Sequence, residues 1–258
     1  MEMLLGQGGA AEELYREYVA RSKEPESVLI LARYLGRQRR LPEALNLCER
    51  AFTTCKADLV GSASLAVLHA GQPSEEQFAR VERLLREAWQ RTTSTTLRIC
   101  MADLLDLRGR QKEAEELYRR IVKEEPKSVE ALNNLAWLLT YNDRNGAEAL
   151  ALANMAIEIA GPLPELLDTR AGAYLVLNEP DLALTDLKDA LGQLADSAEI
   201  FATVQFHLAQ AYIKAGNLAE AKNAFERATK QPGLEAKLHR LEKAGFRQVE
   251  ALAKRSAD

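Results

Sequence analysis

The chain has 258 residues, of which 47% are hydrophobic and 28% charged, a composition typical of folded proteins and not of disordered or fibrous ones. Lysine and arginine total 34 against 38 aspartate and glutamate residues, which gives a net charge of −4. Because the surface charge is nearly balanced, we expect neither nucleic acid nor an anionic membrane as a partner. The length suits one large domain or two ordinary ones.

The sequence predicts no membrane insertion, because no apolar run approaches the ~20 residues that cross a bilayer. Its N-terminus has neither the basic start nor the long apolar stretch of a signal peptide. The compartment stays open, with the cytoplasm as the default expectation. A second possibility is that the chain is a fragment of a longer protein.

Cysteine and histidine are sparse. Three cysteines, Cys48, Cys55 and Cys100, form no CxxC pair, which argues against a disulfide framework or a zinc site. Cys48 and Cys55 are seven residues apart, so on one helix they would share a face and pack in a core. No phosphate loop, dinucleotide fingerprint or nucleophile elbow is found. We therefore predict no cofactor and no metal.

In chain order, the predicted elements are amphipathic helices that come in pairs after an N-terminal segment at residues 10–22. The second helix of each pair carries an alanine followed seven residues later by another small or apolar residue. These helices are predicted at 41–52, 111–122, 146–157, 180–191 and 217–229, with a weaker copy at 78–89. The pattern recurs every 33 to 38 residues, and a period near 34 is typical of stacked helical hairpins.

The first helix of each pair has apolar residues at i, i+3, i+4 and i+7, as in Leu132, Leu135, Ala136 and Leu139. A residue suited to a tight turn follows it. These turn residues are Gly109, Asn145–Gly146, Asn178 and Gly216. Glycine there adopts positive φ without Cβ strain. No segment has the period-two alternation of a strand, so no sheet is predicted.

The sequence resembles the tetratricopeptide repeat (TPR) family over residues 25 to 230. The family pattern is W-x-x-L-G-x-x-Y in the first helix, then A-x-x-x-F-x-x-A and a proline. The last repeat matches it best, with Leu208, Ala209, Tyr212, Ala221, Phe225, Ala228 and Pro232. Two repeats depart from it: Pro73 is expected to cut one first helix short, and the turn YNDRNG carries an extra residue.

The resemblance implies an all-α fold, a right-handed α-solenoid (superhelix) of stacked TPR helix-turn-helix hairpins. Residues 1–24 are predicted as a partial repeat or cap helix. Residues 25–230 form about six repeats, one of them degenerate at 58–92, and residues 231–258 form a capping helix or helices. Small residues at Ala32, Ala102, Ala136, Ala171 and Ala209 let the helices approach closely.

In TPR proteins the first helices line a concave groove that selects the ligand, and the resemblance places ten residues of this chain there. They are Arg33, Ile99, Asp103, Asp106, Glu130, Asn133, Trp137, Asp168, Phe206 and Gln210. Because the central groove is acidic, our hypothesis is a scaffold that binds an extended or helical segment of a partner protein carrying Lys or Arg. Trp137 and Phe206 would supply apolar contact. The alternative interpretation is a merely solvated helix face.

Other function classes are weaker. The groove lacks the basic residues of an RNA-binding repeat or a carboxylate clamp. An enzyme would pair Asp103 or Asp168 with His207, but fanned hairpins offer no water-excluding pocket, so we predict no catalysis. Self-association, or assembly within a larger multi-repeat bacterial envelope or export protein, stays as the alternative function.

Overall fold

The computed structural model describes residues 8–141, 145–195, 200–230 and 233–255, and within these ranges the chain forms helices and no strand. The helices are α1 (Gly8–Arg21), α2 (Ser27–Arg37), α3 (Leu41–Ala51), α4 (Ala57–Ala70), α5 (Glu75–Arg91), α6 (Thr95–Leu107), α7 (Gln111–Glu124), α8 (Val129–Tyr141), α9 (Gly146–Ala160), α10 (Pro164–Val176), α11 (Pro180–Gly192), α12 (Phe201–Lys214), α13 (Leu218–Thr229), α14 (Leu234–Lys237) and α15 (Lys243–Arg255). The first seven residues of the chain, residues 142–144 in the YNDRNG turn and Pro232 lie outside the described residues.

Neighbouring helices pack in the manner of stacked hairpins. Paired helices contact each other, as in α2 with α3, α8 with α9, α10 with α11 and α12 with α13. First helices also contact the first helix of the next pair, as in α2 with α4, α4 with α6, and α8 with α10. The predicted all-α helical repeat fold is thus confirmed.

The chain divides into two compact units, residues Met1–Leu117 (unit 1) and Tyr118–Asp258 (unit 2). This division falls within α7 and is not visible in the repeat pattern. Each unit has its own core of leucine and alanine side chains.

The small residues predicted at the helix contacts are buried in both units. Ala32 and Ala102 in unit 1, and Ala136, Ala171 and Ala209 in unit 2, are each at most 1% exposed. An alanine side chain at such a contact allows two helix backbones to approach closely. A larger side chain there would overpack the contact, at a cost of about 1–3 kcal/mol.

Three of the four predicted turn positions have the expected backbone. Gly109, Asn178 and Gly216 have φ of 84°, 65° and 78°. Asn145 differs, since its φ is −84° and its side chain accepts a hydrogen bond from the Glu148 N–H at the start of α9. An asparagine oxygen satisfies one of the free N–H groups of a helix N-terminus, so Asn145 is an N-cap and not a left-handed turn residue.

Two local predictions in unit 1 are wrong. Helix α4 is 14 residues long, as long as its counterparts, because it ends at Ala70 before Pro73. Gly71 follows it, where a Cβ would lie 2.3 Å from the Leu41 side chain. Cys55 does not share a helix face with Cys48, because α3 ends at Ala51 and Cys55 follows it.

Candidate functional site

The groove residues predicted in unit 2 lie on one side of three neighbouring first helices, α8, α10 and α12. This side is called the first-helix face of unit 2. Helix α10 contacts both α8 and α12. Glu130 and Trp137 are seven residues apart on α8, which places them on the same face of that helix. Glu165 and Asp168 on α10 occupy the positions that match Glu130 and Asn133 on α8.

The C-terminal part of the chain covers much of this face. The tail segment, Leu238–Val249, starts after α14 and runs into α15. The His239 ring meets Trp137 edge-on, with centroids 4.8 Å apart. Phe246 packs against Phe206 and Phe225 at ring distances of 5.7 and 5.3 Å. The place expected for a partner is therefore occupied by the chain itself.

Charged and polar side chains join the tail segment to the face. His207 bonds through Nδ1 to Asp168 Oδ1 at 2.7 Å and through Nε2 to Glu242 Oε1 at 2.8 Å. Glu242 Oε2 accepts from the backbone N–H of His239 at 2.8 Å, and its Oε1 accepts from the Tyr141 hydroxyl at 3.5 Å. Glu242 thus links α8 and α12 through the tail segment.

Electrostatics keeps this cluster ionised. Burial alone would lower the pKa of His207, but the carboxylates of Asp168 and Glu242 outweigh it and raise the pKa to about 10. Burial alone would raise the pKa of Glu242, but hydrogen bonding to His207 outweighs it and lowers the pKa below its usual value. At neutral pH a protonated His207 therefore donates to two carboxylates.

The clearest difference from the sequence-based prediction is on helix α12. Phe206 was expected to offer apolar surface to a partner, but it is 0% exposed and packs under Phe246. The physical reason is that an exposed aromatic ring at the end of a repeat array is covered by the capping segment. Gln210 also lies under the tail segment, where a Cβ on Gly245 would come 2.5 Å from its Nε2.

Helices α8 and α10 keep one end of the face open. Glu130 and Glu165 are exposed, and Asn133 and Trp137 are half-buried. The neighbouring Asn134 donates to the Tyr118 hydroxyl at 3.5 Å, so it holds two helices together and does not face a partner. On the described part of the first-helix face of unit 2, the predicted residues at the open end are Glu130, Asn133 and Glu165.

In unit 1 the predicted residues divide between surface and core. Arg33 is exposed and lines a depression of about 510 Å³ together with Ile30, Lys56 and Leu59. Ile99 is 3% exposed, so the prediction that it faces a groove is wrong. Its side chain is one of the buried residues of α6. Asp103 and Asp106 are half-buried on the same helix.

Sequence reasoning missed two members of the cluster, Tyr141 and Glu242. Residues 231–258 were predicted only as a cap, so none of their side chains was assigned to the site. A signal was present in the stretch LEKAGF, where Glu242 and Phe246 are one helical turn apart on one face.

Asp168 and His207, the pair considered for catalysis, are hydrogen-bonded to each other. Their geometry stabilises a buried charge. Both ring nitrogens of His207 bond to carboxylates, so neither is free to exchange a proton with a substrate. No group of three His, Cys, Asp or Glu side chains in the described ranges is placed to hold a metal ion. Among the helices described, none has the length and apolarity to span a bilayer.

Comparison with known families identifies the fold. The family model for the tetratricopeptide repeat matches residues 7–204, and a second model of the same description matches residues 203–233. The chain belongs to the tetratricopeptide repeat family. As a TPR protein it is a repeat module of the protein-interaction type, a fold that is generally non-catalytic.

Solved structures agree on the fold. A TPR protein from Parabacteroides merdae is 16% identical with a TM-score of 0.63, covering 96% of this chain and 93% of its own. A TPR protein of Thermus thermophilus is 19% identical with a TM-score of 0.53, covering 69% and 91%. MamA (41-end) from Desulfovibrio magneticus RS-1 is 15% identical with a TM-score of 0.51, covering 67% and 93%. Comparison with curated protein sequences gives no match.

Proposed function

We propose that this TPR module binds a basic segment of a partner protein at the open end of the first-helix face of unit 2. Glu130 on α8 and Glu165 on α10 would receive the lysine or arginine side chains, and Asn133 would add an amide contact. The observation that carries the proposal is that these two exposed glutamates, on helices that touch, form no ion pair with a lysine or arginine among the described residues.

Some glutamates elsewhere in the chain contrast with this pair, while others, such as the exposed Glu158 and Glu226, resemble it. Those that contrast form ion pairs with arginine, including Glu12, Glu43, Glu49, Glu75, Glu82, Glu113, Glu148 and Glu235. In the described ranges neither Glu130 nor Glu165 lies within ion-pair distance of a lysine or arginine. The open end therefore has negative charge that a partner, and not the chain, would neutralise.

The environment of Glu130 supports the same partner chemistry. Although Glu130 is exposed, nearby protein atoms partly desolvate its carboxyl group and raise its pKa. A cation brought beside this carboxylate would favour its charged form. Charges at such a rim mainly steer association, so the binding should weaken as salt screens them.

The test is titration of the full chain with a lysine- and arginine-rich peptide pool and an acidic pool, at low and high salt. We expect the basic pool to bind at low salt and to weaken by about tenfold or more at high salt. The double variant Glu130→Gln, Glu165→Gln should lose most of this binding, since it removes both charges.

A matched control is the double variant Glu158→Gln, Glu226→Gln. It changes the net charge equally, but at exposed sites on the second helices α9 and α13. It should bind as the parent does. Equal, salt-insensitive binding of both peptide pools would remove the proposal, as would an equal loss in the two double variants.

The depression in unit 1 is a second candidate surface for the same function. Ile30 and Leu59 are 43% and 44% exposed there, and the charged residues Arg33, Lys56, Glu24 and Glu26 also line the depression. With mixed charges around two apolar side chains, this surface suits an apolar segment of a partner. An apolar peptide pool should bind the parent and lose binding in Leu59→Asp.

A further inference from the structure

The contact of Glu242 differs in chemistry from the contacts between hairpins in unit 2. Hairpins there meet through small apolar residues such as Ala156, Ala190 and Ala228, each 0% exposed. Glu242 is 5% exposed, yet both oxygens of its carboxyl group are hydrogen-bonded, one to His207 and the other to the His239 N–H. A segment that only covered apolar surface would have no need of a buried charge.

Buried ion pairs contribute little net stability, because desolvating the charges offsets their attraction. They do discriminate strongly between partners, since a ligand without the matching charge leaves the other group buried and unpaired. The contact of Glu242 with His207 therefore selects a carboxylate more than it strengthens the fold. This is the behaviour of a recognition site.

Three features of the tail segment fit the face at fixed spacing. Glu242 bonds to His207, and Phe246, one turn later, packs between Phe206 and Phe225. Gly245 lies against Gln210, where a Cβ would come 2.5 Å from the amide nitrogen. The face thus selects a helical segment of the form Glu-x-x-Gly-Phe.

We propose that the part of the first-helix face around His207, Gln210 and Phe206 is a recognition site for a partner-protein segment with the spacing Glu-x-x-Gly-Phe. The tail segment occupies this site until such a partner displaces it. The occupant follows from charge complementarity, because one ring nitrogen of His207 bonds to Asp168 and the other bonds to the carboxylate of the occupying segment, here Glu242. The site is distinct from the open end at Glu130 and Glu165, so it can fail or hold independently of that proposal.

The tail segment competes with any partner as a tethered ligand. It follows α13 after Gly233, whose φ is 82°, and the four-residue helix α14. A tether this short gives a local concentration on the order of millimolar, so the parent should bind a free peptide weakly. Weakening the tail segment should strengthen peptide binding by removing this competition.

The experiment uses the full chain carrying Trp89→Phe, which leaves Trp137 as the one tryptophan of the two in the sequence. Its ring contacts His239, so its fluorescence reports release of the tail segment. The probe is a synthetic peptide of residues 238–251, together with an unrelated helical peptide carrying only Glu-x-x-Gly-Phe. The opened protein carries Phe246→Ala in addition.

We expect the opened protein to bind both peptides at least about tenfold more tightly than the parent. The peptide with Glu242→Gln should bind at least about tenfold more weakly than the unchanged peptide, because His207 then lacks its second carboxylate. A control protein with Arg247→Ala loses only the exposed contact of Arg247 with Glu235 and should match the parent.

The proposal would be overturned by an opened protein that keeps its helical circular dichroism but binds no peptide, or by equal binding of the Gln peptide. If Phe246→Ala fails to fold, Glu242→Gln serves as a milder opening, and absence of peptide binding there is equally decisive. A solution mass of twice the monomer for the opened protein would also overturn it, by assigning the site to the tail of a second copy.

Discussion

The first-helix faces of the two units are built from the same repeat, yet they differ in what covers them. In unit 1 the face beside α2 and α4 is open, with Arg33, Ile30 and Leu59 exposed. In unit 2 the tail segment covers Trp137 and buries Phe206. The comparison shows that a position in a repeat pattern does not determine whether a side chain is available to a partner.

The difference arises because unit 2 contains, after α13, a segment that complements its first-helix face. Phe246 supplies an aromatic ring to Phe206 and Phe225, and Glu242 supplies a carboxylate to His207. The same side chains that suggest a binding surface in the sequence are used for this intramolecular contact.

The largest expected difference in stability is between substitutions of Phe206 and of Arg33. Phe206→Ala should destabilise the protein by about 3–5 kcal/mol, because it leaves a cavity beneath Phe246. Arg33→Ala, at an exposed position, should change the free energy of unfolding by less than about 0.5 kcal/mol. Urea unfolding followed by circular dichroism measures both. Comparable effects of the two substitutions would contradict the contrast between a covered and an open face.

The next largest expected effect is the pH dependence of the stability that the covered face of unit 2 contributes. His207 has a folded pKa of about 10 against an ordinary value of 6.5, so its contribution to stability is complete below about pH 6.5. That contribution is lost as the pH rises through about 10. The pKa of Glu242 is lowered, so its contribution is present above about 4.5 and is lost as the pH falls through the folded value.

The measurement is the difference in free energy of unfolding between the parent and His207→Gln at several pH values. The difference should be largest near pH 6 and decline toward pH 10. The groups that face His207 are Asp168, Glu242 and Tyr141, and burial together with the two carboxylates also raises the pKa of Tyr141. A difference that stays constant from pH 6 to 10 would show that His207 does not carry the charge assigned to it.

The smallest expected effect tests the open face. Leu59→Ser should change stability by less than about 1 kcal/mol, because the side chain is 44% exposed and buries little apolar area. The matched buried control is Leu68→Ser on the same helix, where Leu68 is 1% exposed. Thermal unfolding should show a far larger loss for Leu68→Ser. A similar loss in both variants would mean that unit 1 is not open at this surface.

The repeat pattern predicted the helices well because it is local and physical. Ala102, Ala171 and Ala209 mark close helix contacts, and apolar residues at helical spacing define the faces that pack. The pattern could not predict the length of α4, because Pro73 is compatible with a turn either within or after a helix. Nor could it assign Asn145 as a cap, since asparagine suits both left-handed turns and N-caps.

The candidate site was predicted in part. Repeat alignment placed Asn133, Trp137, Asp168 and Gln210 on one face, and Trp137, Asp168 and Gln210 line one small depression. That a partner binds there stays a prediction. Repeat alignment could not show that Phe206 is buried, because its neighbour Phe246 is 40 residues later and belongs to no repeat. Contacts across such a separation depend on the path of the chain and not on local periodicity.

By itself, the sequence determined the family, the helical hairpins and the small residues at their contacts, because these follow from a regular spacing of side-chain size and polarity. Only the tertiary structure decided which part of the repeat surface is free. It placed Glu242 between His207 and Tyr141, and Phe246 over Phe206, leaving Glu130 and Glu165 open. The reason is that the role of a buried charge or an aromatic ring depends on the groups that it contacts, and those groups lie far apart in the chain.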